Sequence, residues 1–163
     1  MTLCIDTEKL VRDSVDKSIR DVFSMMIGAE LTRIEFETRE MSRPEPENIE
    51  PSMTVLVGLT GDIQGTLSLS MSDLAAIAWS HALIEHETDK VDQTVVDAIG
   101  ELGNMVVGGV KRRLAGNNLT MSLPTVIRTS EASLVFPTNT SPIQVQYDFA
   151  GYTITFVIAM RNA

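Results

Sequence analysis

The amino-acid sequence predicts a two-layer α+β fold in which helices pack on a mostly antiparallel sheet. Three segments place apolar residues at helical spacing, and the segments between and after them alternate apolar and polar residues as strands do. The order is helix, strand, hairpin, helix, helix, strand, hairpin. This order suggests a duplicated helix-plus-hairpin unit, which we expect to form one domain over residues 1–163.

The first half of the chain begins with an amphipathic helix over residues 6–27, and Gly28 is a plausible end for it. Its apolar positions are Leu10, Val11, Val15, Ile19, Val22, Phe23 and Met26. Residues 31–38 alternate as a strand. The three prolines in residues 41–52 indicate a surface loop.

A hairpin and a second helix follow. The runs MTVLVGL and QGTLSLSM are β-patterned and meet around TGD, which is typical of a hairpin. Its second strand is expected to place Leu67, Leu69 and Met71 toward the core, and Thr66, Ser68 and Ser70 outward. Ser72 and Asp73 could cap a helix that runs to about Ile84.

The second half repeats this order with a long helix at roughly residues 91–115. A strand at 119–127 is interrupted by Pro124, and residues 132–136 could form another strand. The runs IQVQYDF and YTITFVIAM flank Ala150 and Gly151 and predict a second hairpin.

A weak internal repeat relates the first helix to the long one. The matched pairs are Val11 with Val95, Asp13 with Asp97, Val15 with Ile99, and Val22 with Val106. In this alignment Lys17 and Arg20 stand where the long helix has Glu101 and Asn104. If the fold carries a site, we therefore expect it on the long helix alone.

The long helix has one apolar and one polar face. At about 100° per residue, one arc contains Val95, Ile99, Leu102, Val106 and Val110, with Ala98 and Met105 at its edge. The opposite side contains Asp97, Glu101, Asn104 and Gly108, extended by Lys111 and Arg112. We call these six residues the polar stripe and expect it to face solvent.

Four glycines weaken this helix, each by roughly 1 kcal/mol relative to alanine. Gly109 lies near the apolar arc and Gly103 at its margin, where they would allow close packing inside the fold. Gly100 and Gly108 lie beside or on the polar stripe. There they would either let a partner approach the helix backbone or simply be tolerated.

Composition excludes several classes of protein. A net charge of −9 argues against a nucleic-acid binder, and no apolar run is long enough to span a bilayer. The first residues lack the pattern of a signal peptide, so we expect a cytoplasmic protein. His81 and His86 are poorly spaced on a helix for a shared metal, and Cys4 has no obvious base partner. No metal site is therefore predicted.

The segment DAIGELGNMVVGG resembles the signature helix of the CheC/CheX/FliY family, which are bacterial phosphatases acting on the phosphorylated chemotaxis regulator CheY. The family pattern, Asp or Ser, three residues, Glu, two residues, Asn, corresponds to Asp97, Glu101 and Asn104. The hairpin with Gly61 and Gly65 and the segment LPTVI also resemble the family. Family members with two such helices are CheC-like and those with one are CheX-like, so this chain resembles CheX.

The resemblance implies a CheC-like fold and hydrolysis of an aspartyl phosphate held in a CheY-like receiver. Asn104 would orient the attacking water, and Glu101 would pair with the receiver's active-site lysine. Contacts to the partner are expected from Asp97, Gly100, Gly108 and Lys111. The chain itself would need no cofactor, because Mg²⁺ would be bound by the receiver.

Two other interpretations remain open at this stage. One is a non-catalytic module that binds receivers or acts as a scaffold in a chemotaxis or other two-component system. The other is a purely structural helix in a domain that dimerises through a sheet edge. CheX-like proteins also dimerise, so dimerisation is compatible with the phosphatase interpretation, and we expect a homodimer.

Overall fold

Helices and strands follow one another in the computed structural model in the predicted order. The structure describes residues 5–37, 52–116, 118–129, 140 and 142–162. The helices in these ranges are α1 (Ile5–Ile27), α2 (Asp73–Ile84) and α3 (Gln93–Arg113). The strands are β1 (Thr32–Glu37), β2 (Ser52–Gly61), β3 (Ile63–Ser72), β4 (Leu119–Met121), β5 (Thr125–Thr129), β6 (Ile143–Phe149) and β7 (Tyr152–Asn162).

All the strand pairings are antiparallel and form one sheet in the order β1-β6-β7-β3-β2-β4, with β5 also paired to β2. The hairpins β2–β3 and β6–β7 meet at the centre, where β3 pairs with β7. Each hairpin is flanked on its outer side by a strand from the other half of the chain. The two halves therefore exchange their edge strands, and the predicted α+β fold with duplicated units is confirmed.

The helices cover one face of this sheet and share a hydrophobic core with it. The core sides of β3 and β7 supply Leu67, Leu69, Ile154, Phe156 and Ile158, all of them buried. Trp79 of α2 and Phe23 of α1 meet within this core, with ring centroids 4.7 Å apart. Among the described residues, no helix is long and apolar enough to cross a membrane.

Both predicted helix ends on the first half are confirmed. The Ser72 hydroxyl accepts a hydrogen bond from the backbone N–H of Ala75 at 3.2 Å and so caps α2. Gly28 follows α1 with a φ of +65°, a left-handed conformation that glycine adopts without steric cost.

Several details differ from the prediction. Ser68 was expected to face outward and be accessible, but it is only 1% exposed, and its hydroxyl donates to the Val157 carbonyl of neighbouring β7 at 3.5 Å. Leu10 and Met26 were assigned to the apolar face of α1 and are exposed. The strand expected at 119–127 is interrupted at Pro124 as predicted, since residues 122–124 separate β4 from β5, but β5 extends further, to Thr129.

Some predictions fall outside the described residues. These are the loop at 41–52, of which only Ser52 is described and belongs to β2, the strand at 132–136, and the surroundings of Cys4. A single domain over residues 1–163 likewise stays a prediction.

Candidate active site

The long helix α3 begins at a well-defined cap. The carboxylate of Asp92 accepts a hydrogen bond from the backbone N–H of Val95 at 3.0 Å, and His86 Nε2 lies 2.8 Å from its other oxygen. The backbone hydrogen bond from Val95, followed by the hydrogen bond with His86, lowers the pKa of Asp92 below its ordinary value. The cap therefore stays charged at neutral pH, which suits the positive end of the helix.

Buried contacts fix the rotation of α3 about its own axis. The five residues of the predicted apolar arc, Val95, Ile99, Leu102, Val106 and Val110, are all fully buried. Two hydrogen bonds reach the helix backbone from its neighbours: Trp79 Nε1 donates to the Ala98 carbonyl at 3.2 Å, and Ser18 Oγ donates to the Val106 carbonyl at 2.6 Å. The opposite face of α3 is consequently held toward solvent.

That outward face is the predicted polar stripe. Asp97, Glu101, Asn104 and Lys111 are exposed, and Gly108 is half-buried. Asn104 Nδ2 lies 3.5 Å from Glu101 Oε2, so the carboxylate and the amide are adjacent and both accessible. Asp97 lies further toward the N-terminus and accepts a hydrogen bond from Gln93 Nε2 at 2.8 Å.

The four glycines of α3 divide as predicted from their positions on the helix. A Cβ at Gly103 would lie 2.5 Å from Val55 Cγ1, and one at Gly109 would lie 2.1 Å from Ser18 Oγ, so both glycines permit close packing inside the fold. A Cβ at Gly100 would meet only Val126 Cγ2 at 3.6 Å, an ordinary contact. At Gly108 it would meet only Arg112 Nη1, also at 3.6 Å. Packing of the described residues does not require glycine at these last two positions.

The corresponding positions of α1 do not form a second site. Arg20, which aligns with Asn104, donates from Nε to Asp16 at 3.1 Å and from Nη1 to the Leu31 carbonyl at 2.8 Å. Its guanidinium also lies 5.6 Å from the ring centroid of Tyr147, whose hydroxyl donates to Asp16 at 2.8 Å. Arg20 therefore links α1 to the chain that follows it and to the sheet.

The chemistry available on the stripe is limited to hydrogen bonding and charge. Within the described ranges, no group of three or more His, Cys, Asp or Glu side chains is arranged to hold a metal ion. His81 lies 3.3 Å from Glu87, while His86 is paired with Asp92. An exposed amide beside an exposed carboxylate can position a water or bind a cation that another molecule presents.

One feature beside the stripe was not predicted. Met25 and Met26 are exposed near Asn104, in a groove between α1 and α3. Two consecutive methionines on a helix give a weak signal of this, because neighbouring residues point about 100° apart and both are seldom buried on one face.

Comparisons with known proteins agree on one family. The family model described as "Chemotaxis phosphatase CheX" matches residues 53–148. The CheY-P phosphatase CheX of Thermotoga maritima is 32% identical over 117 residues, which cover 70% of each chain.

Solved structures of low sequence identity share the fold. CheX from Vibrio vulnificus superposes with a TM-score of 0.80 at 21% identity, over 93% of this chain and 99% of that one. CheX from Borrelia burgdorferi, in a complex with CheY, BeF₃ and Mg²⁺, has a TM-score of 0.76 at 20% identity, over 98% and 100% of the two chains. These structures share the fold, and the family model and the Thermotoga relative show that the chain belongs to the CheX family of chemotaxis phosphatases.

Proposed function

We propose that this protein hydrolyses the aspartyl phosphate of a phosphorylated CheY-like receiver, with Asn104 and Glu101 as its catalytic residues. The observation that carries the proposal is their juxtaposition, 3.5 Å apart, on the exposed face of a helix whose other face is locked into the core. The relationship to the CheY-P phosphatase CheX of Thermotoga maritima supports the reaction. The Borrelia burgdorferi CheX, crystallised with CheY, supports the class of partner.

In the proposed reaction, water attacks the phosphorus atom and the bond from phosphorus to the receiver's carboxylate oxygen breaks. The products are inorganic phosphate and free aspartate. The side-chain amide of Asn104 would hold the water in line with that bond, since an amide both donates and accepts hydrogen bonds. This is catalysis by positioning, in which a correctly oriented water replaces one that must find its geometry by diffusion.

Glu101 would contribute through docking. Its carboxylate would pair with the lysine of the receiver's active site, and that ion pair would be desolvated once the two proteins meet. Asp97, Gly100, Gly108 and Lys111 would contact the receiver around this pair. Mg²⁺ would be supplied by the receiver, which needs it to neutralise the phosphoryl oxygens.

The test is the rate at which a Mg²⁺-bound phosphorylated receiver loses its phosphoryl group with and without the protein. Wild type should accelerate the loss, Asn104→Ala should return it to near the receiver's own rate, and Glu101→Ala should raise KM. Gln93→Ala, on the same helix, is the control: its side chain donates to Asp97 and not to the pair, so it should keep the wild-type kcat. Full activity in Asn104→Ala would rule out the proposed mechanism.

The same measurement separates the proposed enzyme from a receiver-binding module. A module would bind the receiver without shortening the lifetime of its phosphoryl group. The homodimer and the cytoplasmic location expected from the sequence belong to the proposal as well, and sedimentation equilibrium would measure the oligomeric state.

A further inference from the structure

A groove of about 470 Å³ runs between α1 and α3, beside the proposed catalytic pair. Residues of the polar stripe form part of its lining, namely Asn104, Gly108 and Arg112. The facing wall comes from α1 and includes Val22, Met25 and Met26. The groove is therefore continuous with the surface that would meet the receiver.

The α1 wall of the groove is open and carries exposed apolar side chains beside Ser18 and Asp21. Met25 is 81% exposed and Met26 is 44% exposed, although both are large hydrophobic side chains. Adjacent exposed apolar residues that line a concavity are typical of an interaction site, whereas isolated ones are not. Methionine suits such a surface because its flexible, polarisable side chain adapts to the shape of its partner.

The charge beside the groove is positive in a protein of net charge −9. Lys111 and Arg112 are exposed and form no ion pair with any residue in the described part of the chain. Arg113, by contrast, pairs with Asp21 and donates to the Gly109 carbonyl. A receiver presents an acidic surface here, because a phosphoryl group and the carboxylates that bind Mg²⁺ surround its phosphorylation site.

A receiver that docks on Asn104 would also cover part of the groove, because a protein interface is wider than one helix. A specific interface buries about 800 Å² per partner, equivalent to a disc of about 16 Å radius. Packed helices lie only about 8–10 Å apart, so an interface centred on Asn104 cannot be confined to α3. It must extend over a neighbouring element, and α1 offers the apolar groove that shares Asn104 and Gly108 with the stripe.

We propose that this groove binds apolar side chains of the receiver that lie next to its phosphoaspartate, and that Met25 and Met26 determine the affinity of docking. The proposal rests on the proposed function for the identity of the partner. In this arrangement α3 carries the chemistry, while α1 supplies apolar binding area.

Steady-state kinetics with the phosphorylated receiver test whether α1 contributes to binding and α3 to catalysis. Met25→Ser and Met26→Ser should each raise KM several-fold, and the double variant by about tenfold or more, with kcat within about twofold of wild type, because Asn104 is untouched. Leu74→Ser, on α2 and 60% exposed, is the matched control and should change neither constant. An unchanged KM in the double variant would overturn the proposal, provided that wild type is active.

Binding to a receiver activated with beryllium fluoride separates this inference from the catalytic one. Asn104→Ala should bind with nearly wild-type affinity, whereas the double methionine variant should bind about tenfold more weakly. If the variants bind with these affinities but wild type does not accelerate hydrolysis, the proposal that the groove binds the receiver is supported and the phosphatase proposal fails. If wild type does not bind at all, both fail.

Oxidation of methionine by dilute peroxide reports on the groove itself. In the free protein Met25 and Met26 should oxidise much faster than the buried Met53 and Met71, and the activated receiver should slow them selectively. Slow oxidation in the free protein would mean that another part of this chain fills the groove, which would overturn the proposal. Unfolding followed by the fluorescence of Trp79, the only tryptophan, checks that each variant is folded.

Discussion

The helices α1 and α3 occupy corresponding places in the two halves of the fold, and their polar residues are used in opposite ways. On α3, Glu101 and Asn104 remain exposed and make contact mainly with each other. At the aligned position on α1, Arg20 is bound to Asp16 and the Leu31 carbonyl and lies over Tyr147. The helices of the two units thus both pack into the core, while the position of Asn104 is free on α3 and the aligned position on α1 is bound to neighbouring elements.

The two helices also contact each other closely, which explains part of this difference. Ser18 of α1 donates to the Val106 carbonyl, and Gly109 of α3 lies against Ser18 with no room for a Cβ. The contact orients both helices at once. Because α1 is itself bonded to the sheet through Asp16 and Tyr147, we expect substitutions on α1 to affect mainly stability and substitutions on the outward face of α3 to affect mainly catalysis.

The largest expected effect is on catalysis and comes from α3. Asn104→Asp keeps the size of the side chain but removes its donor and places a negative charge beside the phosphoryl group. We expect at least about a 100-fold loss in kcat/KM, as for a misplaced reacting group, with little change in thermal stability. Asp97→Asn on the same stripe is the control and should lose less than tenfold in phosphate-release assays.

The next largest effect is on the free energy of unfolding and comes from the contact between α1 and α3. Gly109→Ala should destabilise the fold, because its Cβ would lie 2.1 Å from Ser18 Oγ and 3.1 Å from Ser18 Cβ. Overpacking of this kind costs about 1–3 kcal/mol, only partly offset by the helix propensity of alanine. Gly108→Ala should instead gain up to about 1 kcal/mol.

Urea unfolding followed by Trp79 fluorescence measures both glycine variants. If Gly108 admits the receiver, Gly108→Ala should combine higher stability with a higher KM. Equal stability of the two variants would contradict the division of the glycines into packing and docking positions.

A smaller loss of stability is expected from α1. Arg20→Ala removes two hydrogen bonds and the contact with the Tyr147 ring, which we expect to cost about 1–2 kcal/mol because the side chain is partly exposed. At saturating receiver its kcat should equal that of wild type. Chemical denaturation and phosphate release on the same preparation check this, and a large drop in kcat would show that α1 takes part in catalysis.

The last prediction concerns the ionisation of Tyr147, which should affect the free energy of unfolding only at high pH and therefore has the smallest effect at neutral pH. Burial, and then the hydrogen bond to Asp16, raise the pKa of Tyr147 above its ordinary value of 10.0. The folded protein therefore keeps the phenolic proton at a pH where the unfolded chain has lost it. This contribution to stability is complete below pH 10.0 and decreases as the pH rises above it.

Unfolding free energies measured below and above pH 10.0 test this linkage. The unfolding free energies of wild type and Tyr147→Phe should approach each other by about 1.4 kcal/mol for each pH unit above the pKa of tyrosine in the unfolded chain, since phenylalanine does not titrate. Tyr152→Phe, at the other tyrosine of the chain, is the control. A constant difference across this range would show that the phenol ionises equally in both states.

Much of α3 could be predicted from the sequence. Its apolar arc, its polar stripe and the inward position of Gly103 and Gly109 follow from the angle between successive residues. The resemblance of DAIGELGNMVVGG to a known signature helix then supplied the family, which the comparisons confirm. The hairpins were predictable for the same reason, since alternation and turn residues are local.

Other features needed neighbours that are distant in sequence. Periodicity placed Ser68 outward and Met26 inward, but Ser68 is buried and donates to neighbouring β7, and Met26 lines an open groove. The attachment of Arg20 depends on Tyr147 and on the Leu31 carbonyl, which no pattern within α1 contains.

The sequence by itself determined the helices, the hairpins and the pair Glu101 and Asn104 on one outward face, because these depend on spacing along the chain. Only the tertiary structure decided the exchange of edge strands between the halves, the structural role of Arg20 and the groove beside Asn104. The physical reason is that burial and hydrogen bonding at those positions are set by elements brought together across the sheet, and helical or strand periodicity carries no information about them.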